Sequence, residues 1–245
     1  MYKNMKILIT HLGNLNEILI ASSILKTITQ KTDKAEITWV NWSKEDKYIF
    51  KYNNYISHVL CLSELEFIKK DFDLLINLNP DLFLENNVNA KEAIGFDISD
   101  NFNDFKDILK GQVSNHSLSL FQMYHKLSGL TWKGEGYQIG YYPRTKTKRH
   151  RIGIAVAHAN LRNYVIDELH LESGRLWHIP YKKNIFKKMD EINKCDNIVT
   201  DDLTTFHLAM NLRKYVYFLQ TFPLNTKLEL FGNGQIYEVP HTVFQ

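Results

Sequence analysis

Two carboxylates in this chain stand where a carboxylate can act on a ligand. Glu17 opens a helical pattern just after the apolar run Lys6-Ile7-Leu8-Ile9-Thr10, and Asp202 opens another just after Asn197-Ile198-Val199-Thr200. In both places a strand-like run passes through a short polar turn into a helix. The first turn of a helix leaves four backbone N–H groups without intrahelical partners, and the positive end of its dipole favours an anion. A phosphate group suits such a junction. His207 follows Asp202 by five residues and shares a helix side with Leu203 and Met210, so its imidazole can reach a ligand resting on the helix start. Each residue also has a structural reading. Asn14-x-x-Glu17 is a capping-box pattern, Asp is among the preferred N-cap residues, and His207 can serve as an interior histidine.

The elements that would position these residues alternate. Strand patterns fall at 6–10, 36–40, 58–61, 74–77 and 93–96, with a helix over 16–29 and another over 118–127. Further on come a strand at 152–157, a helix at 184–194, a strand at 197–200, a helix at 203–212 and a strand at 216–219. Alternating strands and helices imply mostly parallel sheets covered on both faces, an α/β fold. Ligands in such sheets settle beyond the carboxyl ends of the strands. The loop residues His11, Gly13 and Asn14, the trio His158, Asn160 and Arg162, and the stretch Asp202-Leu203-Thr204 all emerge there. A basic, Pro-led run at 143–151 divides the chain into an N-terminal domain, 1–142, and a C-terminal domain, 152–245. The second domain is short, and 160–176 shows no clear strand–helix pair. The basic run reads either as a solvated hinge or as a strip that meets an anionic membrane leaflet or lipid acceptor.

The stretch from Cys195-Asp196 to His207 resembles the nucleotide-sugar motif of glycosyltransferase family 9, which contains the bacterial lipopolysaccharide heptosyltransferases. In that family a strand runs into Asp-Thr-Gly-x-x-His. Here Asp202 and His207 match, Cys195-Asp196 stands where Ala-Asp is usual, and Thr204 replaces the glycine. The N-terminal run from Met5 to Leu19 is similar to the family's opening strand, loop and helix, with Asn16-Glu17 on its Gly-Asp position, so that a glutamate takes the catalytic aspartate's place. Looser matches at 72–78, 93–97 and 124–130 follow in the same order.

The resemblance implies a GT-B architecture of two Rossmann-like domains facing a cleft, the first on the acceptor side and the second, reduced, on the nucleotide-sugar side. It implies transfer of a sugar, by resemblance heptose from ADP-heptose, onto a lipopolysaccharide-core or related glycan or glycolipid acceptor. Glu17 would be the catalytic base. Asp202, Leu203, Thr204, His207 and Arg162 would bind the donor, and His11, Gly13 and Asn14 would lie on the acceptor side. No metal and no cofactor beyond the donor substrate are expected. The alternative is a noncatalytic glycan- or nucleotide-binding protein on the same fold, favoured by the glutamate, the missing glycine and the short second domain.

Composition bounds these readings independently. With 245 residues and 44% hydrophobic content, the chain can bury one large core or two small ones. A net charge of +3 is too small to point to nucleic acid. The first residues lead into a strand-length run broken by Gly13 rather than a secretory signal, and no apolar run reaches membrane-spanning length. A cytoplasmic protein is expected, with peripheral contact at the inner membrane as the basic strip's functional reading. Cys61 and Cys195 suggest no disulfide framework, and the ring-bearing Tyr141-Tyr142, Trp39 and Trp42 are the sugar-stacking candidates. The carboxylates at 97–100 make no persuasive metal site. Dinucleotide, P-loop, His-Glu-x-x-His and Gly-x-Ser-x-Gly motifs are absent.

Overall fold

The computed structural model describes residues 5–42, 46–65, 71–79, 88–96, 102–157, 159–171, 173–182, 184–240 and 243. The chain divides into two compact units: Met1–Gly140 with Leu224–Leu228, and Tyr141–Pro223 with Glu229–Gln245.

Unit 1 is built on β1 (Met5–Thr10), β2 (Ala35–Asn41), β3 (His58–Cys61), β4 (Phe72–Asn77) and β5 (Ala90–Gly95). They form one sheet in the order β3-β2-β1-β4-β5, every pairing parallel. A central strand of a covered parallel sheet is buried on both faces and reads as a continuous apolar run. β1 fits: Ile7, Leu8 and Ile9 are at most 1% exposed. Leu8, Val40, Leu65, Phe72 and Leu75 pack together on one side of the sheet. The chain runs outward from β1 to β2 and β3, then returns across β1 for β4 and β5, so the direction of winding reverses between β1 and β4.

The helix expected over 16–29 is two helices, α1 (Leu15–Ala21) and α2 (Ile24–Lys31). The break falls at the fully buried Ser22-Ser23, where the Ser22 hydroxyl donates to the Leu19 carbonyl at 2.6 Å and competes with the helical ladder. The short α3 (Leu62–Leu65), then α4 (Asn103–Leu109), β6 (Asn115–Ser119) and α5 (Leu120–Leu127) follow. β6 pairs in parallel with the two-residue β11 (Thr226–Lys227), which belongs to this unit.

Unit 2 repeats the plan with β7 (Ile152–Ala155), β8 (Leu176–His178), β9 (Asn197–Thr200), β10 (Tyr215–Gln220) and β12 (Gly234–Glu238), in the all-parallel order β12-β10-β9-β7-β8. Its helices are α6 (Ala159–Glu168), α7 (Ile185–Asn193) and α8 (Leu203–Asn211). Ile154, Leu161, Val165, Val199 and Leu219 form an apolar core between sheet and helix. Winding reverses here between β7 and β9.

Two sequence expectations are corrected. The stretch 160–176 carries most of α6 and the start of β8, so among the described residues unit 2, though short, carries a five-stranded sheet, as unit 1 does. The basic run is no free linker: the Arg144 N–H donates to Asp190 at 2.9 Å, the Thr145 hydroxyl to the Asp190 carbonyl at 2.7 Å and the Thr147 hydroxyl to the Asn193 carbonyl at 2.9 Å, which lays the segment along α7 inside unit 2. Among the described residues, no helix is long and apolar enough to cross a membrane.

Candidate active site

In a doubly wound sheet the crevice for a ligand opens beyond the strand carboxyl ends where the winding reverses. In unit 1 that point lies between the ends of β1 and β4. A pocket of about 300 Å³ is found there, lined by His11, Leu12, Gly13 and Glu17 from the β1 side, Leu78 and Asn79 after β4, and Trp42, Leu109, Lys110 and Tyr124. Buried asparagines hold the loop. Asn77 accepts from the Thr10 hydroxyl at 3.0 Å and from the Asn79 N–H at 3.1 Å, and the Asn79 side chain in turn accepts from the Leu12 N–H.

Within this loop the capping box expected from Asn14-x-x-Glu17 is present. The Asn14 side chain accepts from the N–H groups of Asn16 and Glu17, and Glu17 Oε2 accepts from the Asn14 N–H at 3.0 Å. Burial pushes the Glu17 carboxyl above its ordinary value, and the hydrogen bonds from Asn14 only partly oppose this. Gly13 is where it is because nothing larger fits: a Cβ would lie 2.0 Å from Glu17 Oε2 and 2.5 Å from His11 Cε1. His11 is 1% exposed, stacks on Trp39 and meets Tyr124 edge-on, with Nδ1 accepting the Gly13 N–H at 3.2 Å. Burial drops its pKa to about 3, so the ring is neutral near pH 7. Burial, with the nearby Glu17 charge, raises the Tyr124 phenol well above its ordinary value, so it stays protonated.

In unit 2 the winding reverses beside Asp202. The Thr200 hydroxyl donates to the Ala155 carbonyl at 2.9 Å, tying β9 to β7, and accepts the Asp202 N–H at 3.0 Å. Asp202 is the N-cap of α8: its carboxylate accepts from the N–H groups of Thr204 and Thr205 and from the Thr205 hydroxyl at 2.6 Å. The buried ammonium of Lys188, on α7, reaches the same carboxylate at 2.7 Å. Burial alone would raise the Asp202 pKa, but the bonds from Lys188 and Thr205 outweigh it and hold the carboxyl below its ordinary value. His207 is 3% exposed and edge-on to Phe206, and burial lowers its pKa to about 3 despite the Asp202 charge.

The structure thus brings Glu17, His11, Gly13 and Asn14 together in unit 1, and Asp202, Leu203, Thr204 and His207 together in unit 2. Arg162 is exposed in the first half of α6. His158 and residues 97–100 lie outside the described residues. Of the aromatic candidates, Trp39 is core at 0% exposure, whereas Trp42 is 64% exposed and lines the unit 1 pocket. The Tyr141 hydroxyl bonds to Asp190 at 3.0 Å. Lys188 escaped the sequence reading. Its signal was position: with Met189 and Ile192 it falls on the stripe that α7 turns to the core, where an unpaired lysine would be costly. Among the described residues no group of three or more His, Cys, Asp or Glu is arranged to hold a metal.

No protein-family model and no curated protein sequence matches this chain. Its three-dimensional structure does find matches. It is similar to E. coli heptosyltransferase WaaC solved with ADP, with a TM-score of 0.63 and 12% identity over 96% of this chain and 94% of that one. This chain has the GT-B fold of the heptosyltransferases. The E. coli ADP-heptose lps heptosyltransferase II matches it with a TM-score of 0.61 and 13% identity, over 97% of this chain and 91% of that one. A glycosyl transferase of family 9 from Veillonella parvula matches with a TM-score of 0.61 and 12% identity, over 96% and 86%. The heptosyltransferase fold is thus carried by a sequence almost unrelated in identity.

Proposed function

We propose that the chain is a glycosyltransferase that moves a sugar from a nucleotide-sugar donor to a hydroxyl of a glycan or glycolipid acceptor. The observation that carries this reading is Glu17: a carboxyl of raised pKa on the wall of a pocket at the winding reversal of unit 1, in a chain with the heptosyltransferase fold. A base must accept a proton in the transition state, and a carboxylate kept from full solvation takes it more readily. Gly13 lets the carboxylate stand against the loop, and the asparagine network fixes that loop. In this reading unit 1 takes the acceptor and unit 2 the donor. The start of α8 and the Lys188 ammonium would then meet the charge that develops on the departing diphosphate. By resemblance the donor is ADP-heptose and the acceptor a lipopolysaccharide-core or related glycan, with the protein at the cytoplasmic face of the inner membrane. No metal enters this scheme, since dipole and cation supply the electrostatics.

A second reading, a noncatalytic binding protein, has its own support: both key carboxylates serve as helix caps, and Asp202 occupies the N–H groups of Thr204 and Thr205 that a phosphate would otherwise use. Turnover assays with a panel of nucleotide sugars and acceptors separate the two. A transferase turns over at least one pair, and Glu17→Gln loses about 10²–10⁴-fold in turnover while keeping donor affinity. Binding without turnover in the parent protein supports the second reading.

A further inference from the structure

Unit 2 has a concavity at the amino-terminal end of its sheet. Residues 148–151 lead into β7, residues 174–177 lead into and open β8, and together they line a pocket of about 370 Å³. β7, β8 and β9 are parallel, with Ile152 level with both Leu176 and Asn197, so this pocket sits at the strands' amino ends, whereas Asp202 follows their carboxyl ends. Four residues of strand separate the two edges by on the order of 10 Å. The pocket is therefore distinct from the site at α8.

Its lining is dominated by one charge. Lys148, Arg149, Arg151 and Arg175 surround it, four cations in a chain whose whole net charge is +3. Assembling like charges on one rim is unfavourable in itself, and a concave wall of one sign focuses the field on whatever enters. Among the described residues two carboxylates lie beside this corner: Asp196 accepts the His150 N–H at 2.6 Å, and Glu191 pairs with Lys194 at 2.7 Å. The arrangement is held in place. The Arg151 guanidinium lies 4.3 Å from the centre of the Trp177 ring, Lys194 lies over the same ring, and the Lys148 N–H is tied to the Lys194 carbonyl at 3.1 Å. His150 adopts a left-handed φ of 60°, a conformation disfavoured for residues with a Cβ, which the bond to Asp196 retains.

We infer that this basic pocket binds a phosphate group. Guanidinium forks match phosphate oxygens with paired hydrogen bonds, and the volume admits a diphosphate or a lipid headgroup. The inference is independent of the glycosyltransferase reading. Its test uses the full chain, the double variant Lys148→Gln/Arg149→Gln, and the control Lys26→Gln/Lys187→Gln, which removes the same charge from exposed helix positions elsewhere. Inorganic pyrophosphate is titrated calorimetrically, and co-sedimentation is measured with phosphatidylcholine vesicles with and without phosphatidylglycerol. Any binding at the α8 start is common to all three proteins and cancels. The expected result is pyrophosphate affinity at least about tenfold weaker in the pocket variant, with the control like the parent. Phosphatidylglycerol-dependent sedimentation with the same pattern makes the source a membrane headgroup; its absence, alongside pyrophosphate binding, makes it a soluble phosphate. The inference is overturned if the pocket variant binds pyrophosphate and vesicles as the parent does, if both double variants weaken equally, or if the parent binds neither probe.

Discussion

The two units use the same winding plan and place a carboxylate at the same topological point, yet they tune it in opposite directions. In unit 1 burial dominates at Glu17 and raises its pKa; in unit 2 Lys188 and the α8 cap outweigh burial at Asp202 and lower it. Each has a buried, neutral histidine close by, His11 and His207. The fold therefore sets where a carboxylate stands, and its partners set what it can do. A carboxyl without a cation is suited to take a proton, and one locked to an ammonium is suited to hold charge and structure.

This contrast can be broken in several places. The largest effect is expected at Glu17→Gln, which keeps the capping shape: turnover falls about 10²–10⁴-fold while unfolding free energy changes by less than about 0.5 kcal/mol. Next is Gly13→Ala. The added methyl displaces the flexible end of Glu17 and presses on the buried His11 ring, so turnover drops by about 10²-fold, the scale of an ångström's misplacement, and the thermal midpoint falls as well. Asp202→Ala should do the reverse on stability: chemical denaturation should show a loss of about 1–2 kcal/mol for the cap, and more for leaving the buried Lys188 without its partner. If Glu17→Gln destabilises as much as Asp202→Ala, the two carboxylates are both structural.

A further effect is a pH dependence shared by both units. His11 and His207 have folded pKa values of about 3 against an ordinary 6.5, so below pH 6.5 the unfolded chain binds protons that the folded one does not. Their contribution is whole above pH 6.5 and is lost as pH falls toward 3, approaching about 1.4 kcal/mol per pH unit for each histidine. Urea midpoints should decline between pH 6.5 and 5 in the Glu17→Gln variant, which removes the opposing contribution of that raised carboxyl. A flat profile would mean that the rings are solvated.

Much of this was legible in the sequence where a single local signal decides the outcome. The apolar runs of β1 and β9 and the caps at Asn14 and Asp202 are read from a few adjacent residues. Elements that depend on neighbours were not. α6 buries Leu161 and Val165 as its core contacts among mostly polar residues, β8 is three residues long, and β12 is an edge strand opened by a glycine. The split between α1 and α2 was hidden because the apolar period continues across Ser22-Ser23. At the candidate site, Glu17 and Asp202 could be found from spacing, but the direction of each pKa could not. At Asp202 that depends on Lys188, fourteen residues earlier, and at Glu17 on the burial that the folded unit imposes.

The central claim, that equivalent points of the two units carry oppositely tuned carboxylates, is tested most directly by carboxyl-carbon NMR titration of the parent, with Glu17→Gln and Asp202→Asn used to assign the two signals. Glu17 should titrate above its ordinary value of 4.5 and Asp202 below its ordinary 3.8. A Glu17 that titrates at or below 4.5, or an Asp202 at or above 3.8, would contradict the account.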